Sequence, residues 1–174
     1  AYDDGVFAAL ERVALHKPAR PDVPRECFWR ITARRTILAS GALERPIAFP
    51  MNDRPGIMLA GAAQTYLNRY GVRVGDRAVI VTSHDSAYYT AFDLSDHGTK
   101  IAAIVDTRET VSHDLATRAR QRGIELLTGH TVTSTSGRLR VTSARVNPVR
   151  GGKVGAPRVI ACDTLLMSGG WTPS

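Results

Sequence analysis

The stretch VIVTSHDSAYYTAF, residues 79–92, decides the fold. It begins as an apolar strand and turns at once into a helix. In dinucleotide-binding proteins this junction carries a glycine-rich loop, whose backbone approaches the phosphates at the helix N-terminus. The turn here holds no glycine and consists of Thr82, Ser83, His84, Asp85 and Ser86. The stretch therefore predicts the strand, turn and helix of a nucleotide domain, but with a turn that lacks the usual phosphate chemistry.

The segments on both sides of this stretch continue the alternation of strands and helices. A helix is predicted over 57–70, where apolar residues recur at three- and four-residue steps before Gly71 stops it. Downstream, the pattern predicts strand 101–105, helix 111–122 and strand 124–127. Together with strand 78–82 and the helix ending near His97, these elements predict a βαβαβ half of a doubly wound fold.

The ends of the chain predict further strands. CFWRI (27–31) and RTILA (35–39) are predicted strands, and the second, almost wholly apolar, has the character of a buried parallel strand. From 130 to 147 the pattern changes to short alternating strands, which are typical of an antiparallel crossover. RVIACDTLLM (158–167) predicts a final buried strand.

These elements predict an α/β, Rossmann-like three-layer nucleotide-binding fold of the FAD/NAD(P)-binding type, with a parallel sheet, helices and an antiparallel β crossover. We expect three parts: the remnant of a first dinucleotide-binding domain at 1–56, a second, glycine-poor βαβαβ half at 57–128, and antiparallel strands with a return strand at 129–174. The chain starts without Met and stops just after a strand, so we expect both ends to continue in a longer polypeptide.

The composition argues against several other classes of protein. Of the 174 residues, 43% are hydrophobic and 22% charged, and no apolar run reaches the roughly 20 residues of a membrane span. Two cysteines without C-x-x-C spacing and five scattered histidines indicate neither a disulfide framework nor a metal site, and a reducing cytoplasm is expected. The net charge of +7 comes from arginines spread along the chain, without a nucleic-acid-binding motif. An anionic cofactor or an acidic partner subunit explains this charge at least as well as nucleic acid does.

Asp106 allows two interpretations that the residues leave open. It lies 23 positions after Ser83, near the roughly 20 residues expected for the carboxylate that holds a nucleotide ribose. Alternatively, it only leads into the following loop. For the turn itself a structural role is favoured, because Asp85 or Ser86 suits a helix N-cap, whereas a carboxylate there repels a pyrophosphate. Ser83, His84 and Asp85 are adjacent and project in different directions, so they do not form a hydrolytic triad.

Two glycine-containing turns are better candidates for a cofactor contact. Ser40–Gly41 and Gly169–Gly170 each follow a predicted buried strand at its carboxyl end, where ligands collect in open α/β sheets. Small residues there let a cofactor approach the backbone closely. Turn glycines without any ligand explain the same pattern equally well.

Four motifs now identify a family resemblance. ALERP (42–46), NDRPG (52–56), TYLNRYG (65–71) and DSAY (85–88) occur together here, and in this combination the chain resembles the alpha subunit of heterotetrameric sarcosine oxidases. The likeness covers essentially the whole chain, including the closing GGWTP, and falls in the pyridine nucleotide-disulfide oxidoreductase-like region of that subunit. Related amine and opine oxidase subunits share parts of the pattern.

The resemblance implies an oxidoreductase acting on CH–NH donors, which demethylates sarcosine to glycine with release of a one-carbon unit and hydrogen peroxide. It implies NAD in the alpha subunit, FAD in the beta subunit, FMN at the alpha–beta interface and tetrahydrofolate in a separate alpha domain. The implied partners are the beta, gamma and delta subunits, with neither nucleic acid nor membrane.

The resemblance also assigns site residues. Ser40–Gly41 matches the A-T-G-A turn of the family, with Ser in place of Thr, and Gly169, Gly170 and Thr172 match its closing motif. These residues are expected to complete an NAD cavity whose main glycine-rich loop lies upstream of this segment. The family's catalytic residues lie elsewhere, so the resemblance assigns no catalytic residue here. In isolation we expect no turnover and weak or no NAD binding.

Two alternatives from other classes stay open. The glycine-poor half can serve as a non-catalytic scaffold that packs subunits together, in which case the glycines are turn glycines only. A basic RNA-binding domain predicts salt-dependent binding to nucleic acid.

Overall fold

The computed structural model describes residues 2–3, 5–16, 18, 20–150 and 153–174. The chain divides into two compact units, Ala1–Ser40 and Gly41–Ser174. Within the described part, no helix is long and apolar enough to cross a membrane. The division into parts 1–56, 57–128 and 129–174 stays a prediction.

The elements of the described chain are short. The helices are α1 (Ala60–Tyr70), α2 (Ser86–Asp96) and α3 (His113–Gln121). The strands are β1 (Tyr2–Asp3), β2 (Val6–Arg12), β3 (Glu26–Thr32), β4 (Ala42–Glu44), β5 (Ile57–Leu59), β6 (Arg77–Thr82), β7 (Lys100–Asp106), β8 (Leu126–Thr128), β9 (His130–Ser136), β10 (Ser143–Arg150), β11 (Lys153–Val154), β12 (Arg158–Ala161), β13 (Thr164–Ser168) and β14 (Trp171–Pro173).

The first unit contains an antiparallel sheet in the order β1-β2-β3. The predicted strand at 27–31 is confirmed as part of β3. The prediction of a buried strand at 35–39 is wrong, because no described strand forms there and Ile37 and Leu38 are 92% and 83% exposed. An apolar segment becomes a buried parallel strand only between neighbouring strands, and none of the described strands pairs with this one.

The second unit is built on a five-stranded sheet in the order β5-β13-β6-β7-β8, in which every neighbouring pair is parallel. The predicted βαβαβ half is confirmed as β6, α2, β7, α3 and β8. The predicted glycine stops after α1, α2 and α3 are confirmed as well, since Gly71, Gly98 and Gly123 all have positive φ. The carboxyl ends of all five strands therefore meet at one edge of the sheet.

Three layers enclose two hydrophobic cores. On one face of the parallel sheet, Ile80 and Ile104 pack under the helices with Tyr88 and Phe92 of α2. On the other face, residues of the same strands pack against the antiparallel sheet formed by β9, β10, β11 and β12. Burial on both faces explains the unbroken apolar run of β6. Full burial of one large apolar side chain stabilises the fold by about 1.5–3 kcal/mol.

Two predicted elements are each divided in the structure. The predicted helix 57–70 begins as β5, because its first residues pair in parallel with β13, and a tertiary pairing outweighs helical periodicity. The predicted strand 158–167 is two strands in different sheets, β12 and β13, separated at Asp163. The Asp163 carboxylate accepts hydrogen bonds from the N–H groups of Asp76 and Arg77, both at 3.1 Å, which fixes the crossing point.

Candidate functional site

The carboxyl ends of β13, β6 and β7 place three polar side chains side by side. Ser168, Thr82 and Asp106 are direct neighbours across the sheet, and each is fully buried. Because side chains alternate along a strand, they face the same way as the apolar residues two positions earlier, which lie in the core beneath the helices. This row of three polar side chains lies next to the first turn of α2. In a nucleotide domain, the dinucleotide binds at this helix end and at the neighbouring strand ends.

Asp106 has a complete set of hydrogen-bond donors from its own chain. The Tyr88 hydroxyl donates to Oδ2 at 2.7 Å, and the Arg108 backbone N–H donates to Oδ1 at 2.9 Å. The Arg108 guanidinium adds a bidentate contact, with Nε at 3.1 Å from Oδ1 and Nη2 at 2.8 Å from Oδ2. A carboxylate offers about four acceptor positions, and all are used here. Asp106 therefore neither just begins a loop nor offers oxygens to a ribose.

Both donors are held in the protonated form. Burial raises the pKa of Tyr88, and its hydrogen bond to Asp106 raises it further. Hydrogen bonding to Asp106 likewise raises the pKa of Arg108. The elevated pKa of Tyr88 means that its contribution to stability is present below the ordinary tyrosine value of about 10 and is lost as the pH rises above it.

Arg108 also joins this network to the turn before α2. Its Nη1 lies 2.7 Å from Oδ1 of Asp85. Asp85 occupies the N-cap position, as predicted, but its own backbone is helical and its side chain makes no capping hydrogen bond. The Asp85 carboxylate instead forms the ion pair with Arg108. His84 turns toward the helix, with Nδ1 3.1 Å from the Ser86 hydroxyl.

The predicted site residues of the second unit lie along a two-stranded ribbon of β4 and β14. At one end, the Gly41 carbonyl accepts the Ser174 N–H at 3.3 Å, and at the other the Gly170 carbonyl accepts the Arg45 N–H at 2.9 Å. The ribbon therefore brings Gly41 and Gly170 together on one element, but at ends about 13 Å apart. Thr172 lies exposed between them.

The three glycines differ in the space around them. A Cβ added at Gly169 would meet the carbonyl oxygens of Arg45 and Pro46, both at 3.1 Å, so the protein itself explains this glycine. Gly170 has φ 93° and Gly41 φ 82°, and a Cβ at Gly41 would meet nothing within 4 Å. Of these three glycines, Gly41 alone has both a positive φ and no atom within 4 Å of the added Cβ, whereas at Gly170 the Arg45 Nη2 lies at 3.8 Å.

Ser40 and Ser168 complete the set of small polar residues at these turns. Ser40 is exposed and is the last residue of the first unit, and its cofactor contact stays a prediction. The Ser168 hydroxyl is buried without a hydrogen-bond partner among the described residues, directly before Gly169. Because buried hydroxyls normally have a hydrogen-bond partner, the Ser168 hydroxyl can bind a further polar group at this end of β13.

The ribbon is attached to the amino ends of two helices. The Glu44 carboxylate accepts the N–H of Gly61 in the first turn of α1 at 2.8 Å. The indole N–H of Trp171 donates to the Ser86 hydroxyl at the start of α2 at 3.0 Å. These are the helix ends at which nucleotide domains bind phosphate.

The contacts of Arg108, Glu44 and Trp171 were missed from the sequence. Of these three, only the Arg108 contact could be predicted from sequence spacing, because an arginine two residues after a buried aspartate at a strand end can fold back onto that carboxylate. The contacts of Glu44 and Trp171 are tertiary and follow no sequence spacing.

Solved structures identify the class of fold. A thioredoxin reductase from Lactococcus lactis superposes with a TM-score of 0.63 at 16% identity, over 85% of this chain and 48% of that one. An FAD-dependent pyridine nucleotide-disulphide oxidoreductase from Desulfovibrio vulgaris does so with a TM-score of 0.58 at 16% identity, over 84% and 38%. The fold is that of the FAD/NAD(P)-binding oxidoreductases, as predicted.

Sequence relatives identify the family, although no family model matches the chain. The alpha subunit of sarcosine oxidase from Corynebacterium sp. (strain P-1) is 42% identical over 99% of the chain, and that from Rhizobium meliloti (strain 1021) is 41% identical over 99%. An opine oxidase subunit from Agrobacterium tumefaciens (strain Ach5) is 32% identical over 46%. The chain belongs to the sarcosine oxidase alpha subunit family. It spans 18% and 16% of the lengths of the first two relatives.

Proposed function

We propose that the chain is part of the alpha subunit of a sarcosine oxidase-like flavoenzyme, where it contributes to NAD binding and to the architecture of the subunit. The observation that carries this proposal is the identity of 41–42% with two subunits of that name over nearly the whole chain. The proposed reaction is oxidative demethylation of sarcosine to glycine with production of hydrogen peroxide. The catalytic residues are proposed to lie elsewhere in the enzyme.

The proposed cofactor contacts are those of the β4–β14 ribbon. Gly41 has open space beside its backbone, and Gly170 and Thr172 follow the buried Ser168 hydroxyl. Gly169 is proposed to act through close packing, which keeps the ribbon against the loop at Arg45. Ser40 keeps its predicted role beside Gly41. FAD, FMN and tetrahydrofolate are proposed to bind elsewhere in the assembly, with beta, gamma and delta subunits as partners in the cytoplasm.

Replacing Gly41 by Asn in the intact enzyme tests the NAD contact. Asn tolerates positive φ, so the main effect is to put a side chain into the open space. We expect NAD affinity, measured by calorimetry, to fall at least tenfold. Gly71→Asn is the matched control, because Gly71 has φ 66°, is equally open and lies at the far end of α1. Equal NAD affinity in the two variants would contradict the proposal.

The second candidate function is a non-catalytic scaffold in a related amine or opine oxidase. The specific observation in its favour is the tight packing of Gly169 against Arg45 and Pro46, which accounts for that glycine without a cofactor. The two functions predict opposite results for Gly41→Asn. Unchanged NAD content with failed assembly of the subunits, measured by analytical ultracentrifugation, would favour the scaffold.

A further inference from the structure

We infer that the dinucleotide position at the start of α2 is filled by the protein's own side chains, so that this half of the fold binds no nucleotide. The inference rests on the proposed function only in placing NAD elsewhere, at the ribbon. The FAD/NAD(P)-binding fold implies a ribose on the carboxylate at the end of β7 and a phosphate at the start of α2. The residues present fit neither group.

The ribose position is taken by Arg108. Its guanidinium lies across both oxygens of Asp106 at 2.8 and 3.1 Å, where two ribose hydroxyls would bind. The Tyr88 hydroxyl, in the first turn of α2, uses a further acceptor position on Oδ2. A nucleotide could reach this carboxylate only by displacing Arg108, which would leave a fully buried charge without its cation.

The phosphate position is blocked by charge and by bulk. Asp85 brings a carboxylate to the N-cap position of α2, and its pairing with Arg108 keeps it there. The Trp171 indole N–H, bonded to Ser86, lies at the same helix end. A phosphate would meet a carboxylate and side chains at a turn that has no glycine to let it near the backbone.

The cavity next to the Asp106–Arg108 network does not offer an alternative binding site for a dinucleotide. A cavity of about 380 Å³ lies beside the carboxyl ends of β7 and β8, lined by Glu109, Thr110, Thr128 and Gly129. It has a carboxylate and no cation among these lining residues. An anionic dinucleotide gains no electrostatic attraction there.

Hydrogen exchange on the intact subunit tests the inference without any variant. With saturating NAD, and separately with ADP-ribose, we expect unchanged exchange at amides 106–109, which share no hydrogen bond with the ribbon among the described residues. Protection of these amides by either ligand would overturn the inference.

Two substitutions in the intact subunit provide a second test. Asp106→Asn and Arg108→Ala are expected to lower the melting temperature while NAD affinity and stoichiometry change less than twofold. A tenfold loss of NAD affinity in either folded variant would mean that the network binds nucleotide. The proposed function fails separately, if Gly41→Asn leaves NAD affinity unchanged.

Discussion

Arg108 illustrates how one side chain decides the role of a whole turn. About a third of its side chain is exposed, yet it pairs with one fully buried carboxylate and one half-exposed carboxylate, Asp106 and Asp85. Losing a partner from a buried charge typically costs about 3–5 kcal/mol, far more than losing an exposed ion pair. The sequence placed Asp106 correctly at a strand end, but it did not identify the network, because Tyr88 reaches Asp106 and Asp85 reaches Arg108 only through the packing of α2.

Cys162 is predicted to be chemically inert in the folded protein. Burial raises the pKa of its thiol to about 11, and the nearby Asp163 contributes to the rise. At pH 8 only about one molecule in a thousand then carries the thiolate that reacts. We expect iodoacetamide to modify Cys162 at least tenfold faster in urea than in buffer, as followed by mass spectrometry.

The raised pKa of Cys162 also makes the stability of the folded protein depend on pH. The contribution of the buried, neutral thiol to stability is present below the ordinary thiol pKa of about 9 and disappears as the pH rises through about 11. Equal labelling rates for Cys162 in the native and unfolded protein would show that the thiol is accessible.

At the scale of elements, α2 and α3 begin in different ways. The Ser112 hydroxyl accepts the Leu115 N–H at 3.4 Å, and Asp114 adds an acidic residue to the first turn of α3. In α2 the N-cap residue is Asp85, whose carboxylate pairs with Arg108 and makes no capping hydrogen bond. Conventional capping therefore stabilises α3, whereas α2 depends on contacts from β7 and β14.

Ser112→Ala is predicted to destabilise the protein by about 1 kcal/mol, the usual cost of losing a capping oxygen. Ser112→Asp is the matched control, because it keeps an acceptor and adds a charge that the helix dipole favours. Urea unfolding should give a lower midpoint for the Ala variant and restore it in the Asp variant. Equal midpoints for the two variants would exclude a capping role.

Local sequence patterns predicted those elements whose signals lie close together in the sequence. The stretch 78–127 was predicted well because its apolar strands and glycine stops act over short distances. The failures at 35–39, 57–70 and 158–167 share one cause, since each depends on which strand lies alongside. Strand pairing is a long-range property that periodicity does not encode. For the same reason the ribbon was missed, although its glycines were identified.

At the scale of the whole molecule, the two units are unequal. Among the described residues, both hydrophobic cores lie entirely in Gly41–Ser174. The first unit instead exposes large apolar side chains on its sheet, such as Phe28 at 73% and Trp29 at 51%. Stability of the isolated chain is therefore expected to come mainly from the second unit.

A truncated chain of residues 41–174 is predicted to fold by itself. Circular dichroism should show cooperative melting within a few degrees of the 174-residue chain, since both cores are kept. The peptide 1–40 is the control and should stay unfolded, because about 40 residues rarely bury enough apolar surface to fold alone. Non-cooperative melting of the 41–174 chain would contradict this prediction.

The position of β13 has a consequence for synthesis. This strand is nearly the last of the segment to leave the ribosome, yet it lies between β5 and β6, which emerge about a hundred residues earlier. Until residue 168 is available, β5 has no described neighbour in the sheet and β6 lacks one of its two. Such non-local pairing slows folding. Nascent chains should thus expose an incomplete, apolar sheet while residues 83–168 are being synthesised, and would need protection from aggregation until β13 is inserted.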